Sequence, residues 1–379
     1  MKKNLALAIT GFALIAVTYG MARFSWGIML PDIRQAISFS PQTAGLIAAC
    51  SYGACCLSVF FASFLTQRFG PRFPAVLAAL TAAAGLLILA LAPSPPVLAA
   101  GLFIAGLSSG LASPALAGAV SAGVNPERQT QVNTIINAGT SGGIILSVPV
   151  LFFVPGGWRV ACAIFALLAL ASLIPVWRYL PRATRAAEEV PGWRALMQKP
   201  GMIRLSAIAL VSGIASAAWW SFGPELLQRH TKLDDATTNV LWLVSGGAGV
   251  AAVFTGSLAK RIGMRGVYSG SQLFMAGSLI ALALSKDFAW WLVPVVAMSG
   301  AGYVILSGVL LVQGARVAEP SPAAGVSIAF LMLALGQIIG SVFFGQLYGT
   351  AGAAWALLTF SALSLAMLAV APDAEHQAS

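Results

Sequence analysis

The sequence predicts an all-α membrane protein, with twelve transmembrane helices in two pseudo-symmetric six-helix bundles. Three observations point there. Of 379 residues, 59% are hydrophobic and 8% are charged, against about 25% charged in a soluble domain. The apolar residues gather into charge-poor stretches of about 20 residues, the length that crosses a hydrocarbon core as a helix. The chain also repeats itself. Gly20, Trp26 and Pro31 recur 193 residues later as Gly213, Trp219 and Pro224, and Asp32 recurs as Glu225. Arg68, Gly70 and Arg72 recur as Arg261, Gly263 and Arg265. Further on the offset drifts to 197, where Gly139, Gly143 and Trp158 meet Gly336, Gly340 and Trp355. A repeat of this length in so apolar a chain implies a transporter built from two related bundles. Function is then to be sought among polar residues buried at mid-membrane depth.

In chain order, the first half holds spans at about 7–30, 43–66, 73–92, 97–121, 130–154 and 158–180. The second half holds 203–227, 237–259, 266–285, 288–313, 323–348 and 352–371. The first span is too long for a signal-peptide core, and no small-residue cleavage site follows it. Pro114 and Pro149 fall inside spans four and five, where a bundle tolerates a kink. Runs such as Gly106-Leu107-Ser108-Ser109-Gly110 and Gly139-Thr140-Ser141-Gly142-Gly143 let helix backbones approach closely in lipid. Strand alternation is absent, which argues against an outer-membrane barrel. Residues 1–180 form the N-terminal bundle, 181–202 a cytoplasmic linker and 203–379 the C-terminal bundle. The linker region is charged and punctuated by Pro181, Pro191 and Pro200. Trp193 to Gln198 suits a short amphipathic helix on the inner surface. The other loops are short, and no appended soluble domain is expected.

The net charge of +10 would suit a nucleic-acid partner, but its distribution excludes that need. With the N-terminus inside, 15 Lys and Arg fall on the cytoplasmic side and five outside, with Arg23 within the membrane. This positive-inside bias places both termini in the cytoplasm. All four cysteines, Cys50, Cys55, Cys56 and Cys162, lie within spans. They read as small buried hydrophobes rather than a disulfide or metal framework. No zinc-protease motif, phosphate-binding glycine loop or nucleophile elbow occurs. The sequence therefore predicts no enzyme, no metal and no cofactor.

The loop between spans two and three reads Ser63-Phe64-Leu65-Thr66-Gln67-Arg68-Phe69-Gly70-Pro71-Arg72. Its counterpart reads Gly256-Ser257-Leu258-Ala259-Lys260-Arg261-Ile262-Gly263-Met264-Arg265. Both resemble the signature loop of the major facilitator superfamily, with Gln67 and Lys260 standing where the family has Asp. Gly157-Trp158-Arg159, before span six, also looks like that superfamily. Tyr19-Gly20-Met21-Ala22-Arg23-Phe24, followed by Leu30-Pro31, is similar to the first helix of a bacterial branch of it. The resemblance covers the whole chain and implies that fold. It also implies a cytoplasmic gate at Arg68, Gly70, Arg72, Arg261, Gly263 and Arg265.

Among the spans, Arg23 is the one formal charge placed well inside. It is about 10 Å from the expected outer end of its helix at 1.5 Å per residue. Burying an arginine costs roughly 2.5–3.5 kcal/mol on insertion scales, so a carbonyl, water or anion must offset it. Its planar fork of donors fits a carboxylate or phosphate. Tyr19, Arg23, Trp26 and Leu30 make one stripe on the helix. Its alternative role is to snorkel toward the interface. Asn133 and Asn137, four apart on span five, share a face, and Gln337 lies deep in span eleven. Each amide serves either as interhelical glue or as a ligand contact. Trp219, Trp220 and Tyr303 complete the candidates, with Tyr52 in span two. Asp32 and Glu225 each follow a proline at an outer helix end, as solvated ends or as an outer gate or proton site.

These residues point to a monomeric secondary transporter, working by alternating access in a lipid environment. Its small-molecule substrate would be a small organic anion, with a coupling proton or an exchanged anion. Two alternatives stand beside it: an efflux transporter for amphipathic drugs or metabolites, and a non-transporting membrane sensor or partner-binding protein.

Overall fold

The computed structural model describes residues 2–182, 196–250, 255–318 and 322–370. Among them the regular structure is entirely helical. The chain forms two compact units, Met1–Glu188 and Glu189–Ser379. In the first, α1 (Lys2–Ile15), a π-helical segment (Ala16–Phe24) and α2 (Ser25–Ala36) run on as one rod. Then come α3 (Pro41–Phe69), α4 (Arg72–Leu91), α5 (Pro95–Gly123), α6 (Pro126–Phe153) and α7 (Gly157–Tyr179). The second unit holds α8 (Pro200–Arg229), α9 (Asp235–Ala248) and α10 (Thr255–Leu284). It continues with α11 (Leu292–Val317), α12 (Pro322–Ala351) and α13 (Ala353–Ala366), ending in a 3₁₀ turn at Met367–Val370.

Eleven described helices are long and apolar enough to cross a membrane. The expected eighth span, 237–259, is α9 plus the first turns of α10, and its residues 251–254 lie outside the described residues. So do 183–195, which take most of the expected linker and the first half of its surface helix at Trp193 to Gln198.

Local chemistry accounts for the helix ends. Proline opens α3, α5, α6 and α8, where its missing N–H is no loss. The Ser40 hydroxyl accepts from the Thr43 N–H at 3.2 Å. The Asp234 carboxylate accepts from the Thr237 N–H at 2.8 Å. These Thr237 hydrogen bonds hold its carboxyl below the usual range. Gly70 closes α3 with φ 78°, and Gly263 breaks α10 with φ 74°. Both take a left-handed turn that glycine adopts at little cost. The two copies of the duplicated loop therefore turn alike.

Two helices outrun the sequence expectation. The first rod is apolar over Asn4–Ala36, 33 residues, because Pro31 is carried inside α2 rather than ending it. α8 likewise carries Pro224 and runs to Arg229. A helix in a bundle tolerates the lost hydrogen bond. Asp32 and Glu225 are thus within helices, not beyond them.

The cores are packed through small residues. A methyl group on Gly20 would overlap the backbone of Gly143 on α6, and one on Gly336 would overlap the Leu210 carbonyl and approach the Gly213 Cα. The first rod crosses α6 at Gly20 and Gly143, and α8 crosses α12 at Gly213 and Gly336. Both pairs keep the 193-residue spacing. The offset of 197 read from the sequence in this region is therefore not the packing register. The tryptophans matched at that offset also differ: Trp158 is buried and Trp355 exposed.

Candidate functional site

Arg23 sits in the π segment, 5% exposed. With α2 ending at Ala36, it lies about 20 Å from that end at 1.5 Å per residue. That is twice the distance to the helix end expected from sequence. Its guanidinium packs against three rings, with centroids at 4.7 Å for Tyr52, 5.4 Å for Phe24 and 5.7 Å for Tyr19. Ring faces offset part of the cost of burying a cation. Nη1 also donates to the Cys55 Sγ at 3.5 Å. The Tyr19 hydroxyl pairs with Ser113 on α5 at 2.8 Å.

The expected stripe is half assembled. Tyr19 and Arg23 meet, while Trp26 and Leu30 are buried but Trp26 makes no ring contact with Arg23 among the described residues. The π segment explains this, since i→i+5 bonding shifts the angular spacing of neighbours. Phe24 and Cys55 were missed from sequence. Phe24 is adjacent in the chain and on another face of an ideal α-helix, and nothing in α3 marks Cys55 as facing the rod.

The second unit gathers the other aromatic candidates. The Trp219 indole donates to the Ser245 Oγ at 2.9 Å. Trp242, missed from sequence, lies 5.8 Å from Trp219 and 5.6 Å from Trp220 between ring centroids. Trp220 meets Tyr303 at 5.4 Å. Gln337 is fully buried, and its Nε2 donates to the Tyr303 Oη at 3.1 Å and the Ser216 Oγ at 3.4 Å. Between these side chains is a cavity of about 10 Å³, bordered by Ser216, Trp219, Trp220, Ser278, Ser299 and Tyr303. That is room for about one water.

Asn133 is half-buried and Asn137 exposed on α6. Neither hydrogen-bonds to a described residue. At the duplicated loops Arg68 is exposed and lies over the rings of Phe64 and Phe69, at 5.9 and 5.6 Å. Arg72 donates through Nε to the Leu180 carbonyl at 2.9 Å and stacks on Trp177 at 5.7 Å, tying α4 to the end of α7. Arg261 and Arg265 are exposed. Asp32 is half-buried. Glu225 is fully buried, with Arg229 Nε 3.4 Å from its Oε1. Of the two alternatives given for it, a solvated helix end does not describe Glu225, which is buried two residues inside the expected end of its span. Among the described residues, no three His, Cys, Asp or Glu form a metal-binding group.

Two bundles of long apolar helices, each with polar groups buried against aromatic rings, define a multi-pass membrane transporter rather than an enzyme. The family model of the major facilitator superfamily matches residues 12–340; the chain belongs to that superfamily. No protein of curated function matches it. Among solved structures it is similar to a mutant of the nucleoside transporter NupG, at TM-score 0.80 and 13% identity, covering 97% of this chain and 98% of that one. A second NupG structure gives TM-score 0.75 and 14% identity, over 98% and 99% of the two chains. A bacterial homolog of the human lysosomal transporter Spinster, inward-facing and unoccupied, gives TM-score 0.74 and 15% identity, over 98% and 95%. At these identities the likeness establishes the fold.

Proposed function

We propose that this transporter moves a small organic anion, a carboxylate, across the bacterial inner membrane by alternating access. The observation that carries the reading is Arg23: a guanidinium buried deep in the first rod, walled by Tyr19, Phe24 and Tyr52. In such surroundings a charge-assisted pair with a carboxylate is much stronger than in water. Tyr19, Trp26, Asn133 and Asn137 belong to this reading in the first unit, and Trp219, Trp220, Tyr303 and Gln337 in the second. The arginine-rich loops act as the gate, through Arg68, Arg72, Arg261 and Arg265, with Gly70 and Gly263 shaping their turns. Glu225 is the better supported of the two carboxylate candidates for a coupling proton, because it is the buried one. The excess of Lys and Arg in alternate loops supports cytoplasmic termini. The protein acts as a monomer.

The test is ligand binding by wild type, Arg23→Lys and Arg23→Gln, using an acid and its neutral amide. Lysine keeps the charge but loses the planar fork, so it binds the acid more weakly. Glutamine binds it weaker still, with a total loss of about ten- to a hundred-fold. Expression survives both changes. Acid and amide binding alike in all three proteins would remove the anion reading. The aromatic cluster of the second unit would then favour export of amphipathic compounds.

A further inference from the structure

One end of the first unit gathers cations without acids. Arg68 stands in the last turn of α3 and Arg72 opens α4, while Arg178 and Arg182 lie at and just beyond the end of α7. None of these three helices contains an Asp or Glu. The described carboxylates of this unit are Asp32 and Glu127. Asp32 lies where α2 leads into the start of α3, the far end of the bundle. Glu127 opens α6 and makes no ion pair with a described residue.

The corner between α4 and α7 is built rather than diffuse. The Arg72 guanidinium donates through Nε and Nη2 to the Leu180 carbonyl and lies 5.7 Å from the centre of the Trp177 ring. Its Nη1 has no hydrogen-bond partner among the described residues. Arg182, two residues past that carbonyl, is exposed, and its charge opposes that of Arg72. An anion between the two would be met by both forks, with charge-assisted hydrogen bonds. An apolar stripe runs to the same point. Leu167, Leu170, Ile174 and Trp177 follow one another at helical spacing on α7, and all are exposed. Tyr179 is exposed beside them, under the Arg178 guanidinium at 5.8 Å. Tryptophan and tyrosine at the polar end of an apolar stripe sit at the level of lipid headgroups. A soluble anion would use the arginines and leave the stripe idle. A zwitterionic lipid would use the stripe but bring a cation of its own to the arginines. A lipid with net negative charge fits both.

We infer that an anionic glycerophospholipid binds at this corner, its phosphate between Arg72 and Arg182 and its acyl chains along the α7 stripe, with Arg178 at the rim. The site makes no use of Arg23 or of the second unit, so it does not depend on which substrate is carried.

The test uses purified full-length protein in detergent, titrated with dioleoylphosphatidylglycerol or dioleoylphosphatidylcholine. Retained lipid is counted by native mass spectrometry, and the thermal midpoint is measured alongside. Arg72 is left intact because it belongs to the proposed gate. Wild type should retain the glycerol lipid over the choline lipid. A basic residue beside an anionic lipid is worth about fivefold in affinity, so Arg178→Gln and Arg182→Gln should each weaken phosphatidylglycerol by about that factor. The double variant should lose about twentyfold and leave phosphatidylcholine unchanged. Arg182→Lys, which keeps the charge, should retain most of the affinity. Arg128→Gln removes an exposed cation at the same end but on α6, and should change little. These side chains are at the surface, so midpoints without lipid should match wild type. Phosphatidylglycerol should raise the midpoint of wild type and not that of the double variant. Equal retention of the two lipids by wild type, or undiminished retention by the double variant, overturns the proposal. A loss in Arg128→Gln as large as in Arg182→Gln overturns it in favour of a diffuse surface field. A midpoint raised as far by inorganic phosphate as by phosphatidylglycerol overturns it in favour of a soluble anion.

Discussion

Arg23 and Glu225 show how far a single residue's environment departs from its sequence neighbourhood. Both are ionisable, both sit in spanning helices, and both are buried. Arginine keeps its charge at any accessible pH, so the surroundings of Arg23 must accommodate a permanent cation, and rings do part of that. A carboxylate can instead lose its charge when buried. Glu225 is held against Arg229, which is itself about half exposed. If Glu225 takes the coupling proton, Glu225→Gln in proteoliposomes will abolish accumulation driven by a pH gradient while leaving substrate exchange intact. Accumulation equal to wild type would assign the carboxylate to holding Arg229 alone.

Among the helices, the crossings decide what the sequence can tolerate. The first rod meets α6 backbone to backbone at Gly20 and Gly143, and α8 meets α12 at Gly213 and Gly336. Without a hydrophobic force between helices in lipid, such close contact is where their association energy resides. Gly143→Ala and Gly336→Ala should each destabilise the protein by about 1–3 kcal/mol, the usual cost of overpacking. Gly247→Ala, where an added methyl meets open space, serves as the control and should change little. Thermal unfolding in detergent distinguishes them, and equal midpoints in all three variants would show that the crossings can spread without penalty.

For the whole molecule, the repeated loops are where the topology and the proposed gate can both be tested. Gly70 and Gly263 adopt one left-handed conformation, with φ 78° and 74°. If the halves are related by an axis along the membrane normal, both loops face the cytoplasm. Gln67→Cys and Lys260→Cys, in a background lacking the native cysteines, should then be labelled from that side by an impermeant reagent. Labelling from opposite sides would refute the arrangement. Adding Arg68→Ala or Arg261→Ala should slow flux and change the extent of labelling without reducing membrane insertion. Unchanged flux and labelling in both would leave these arginines as topology anchors.

The class of fold was legible because it depends on averages. Twenty apolar residues must cross a bilayer as a helix whatever their neighbours do, and a duplicated loop keeps its glycine because the left-handed turn demands one. Arg23, Tyr19 and the Trp219–Trp220 pair were recognisable for the same reason: each is conspicuous against an apolar background. Tertiary structure decided what those residues touch. Tyr52, Phe24 and Cys55 reach Arg23, and Trp26 does not, because nine residues of the first rod adopt a π register. Trp242 joins Trp219 and Trp220 because α9 lies beside α8, a neighbour relation that no local pattern encodes. Glu225 is fully buried although it stands near the end of its span, because neighbouring helices pack around α8 there. Local chemistry sets which elements form; the faces they bury, and so the sites they build, depend on packing between residues far apart in sequence.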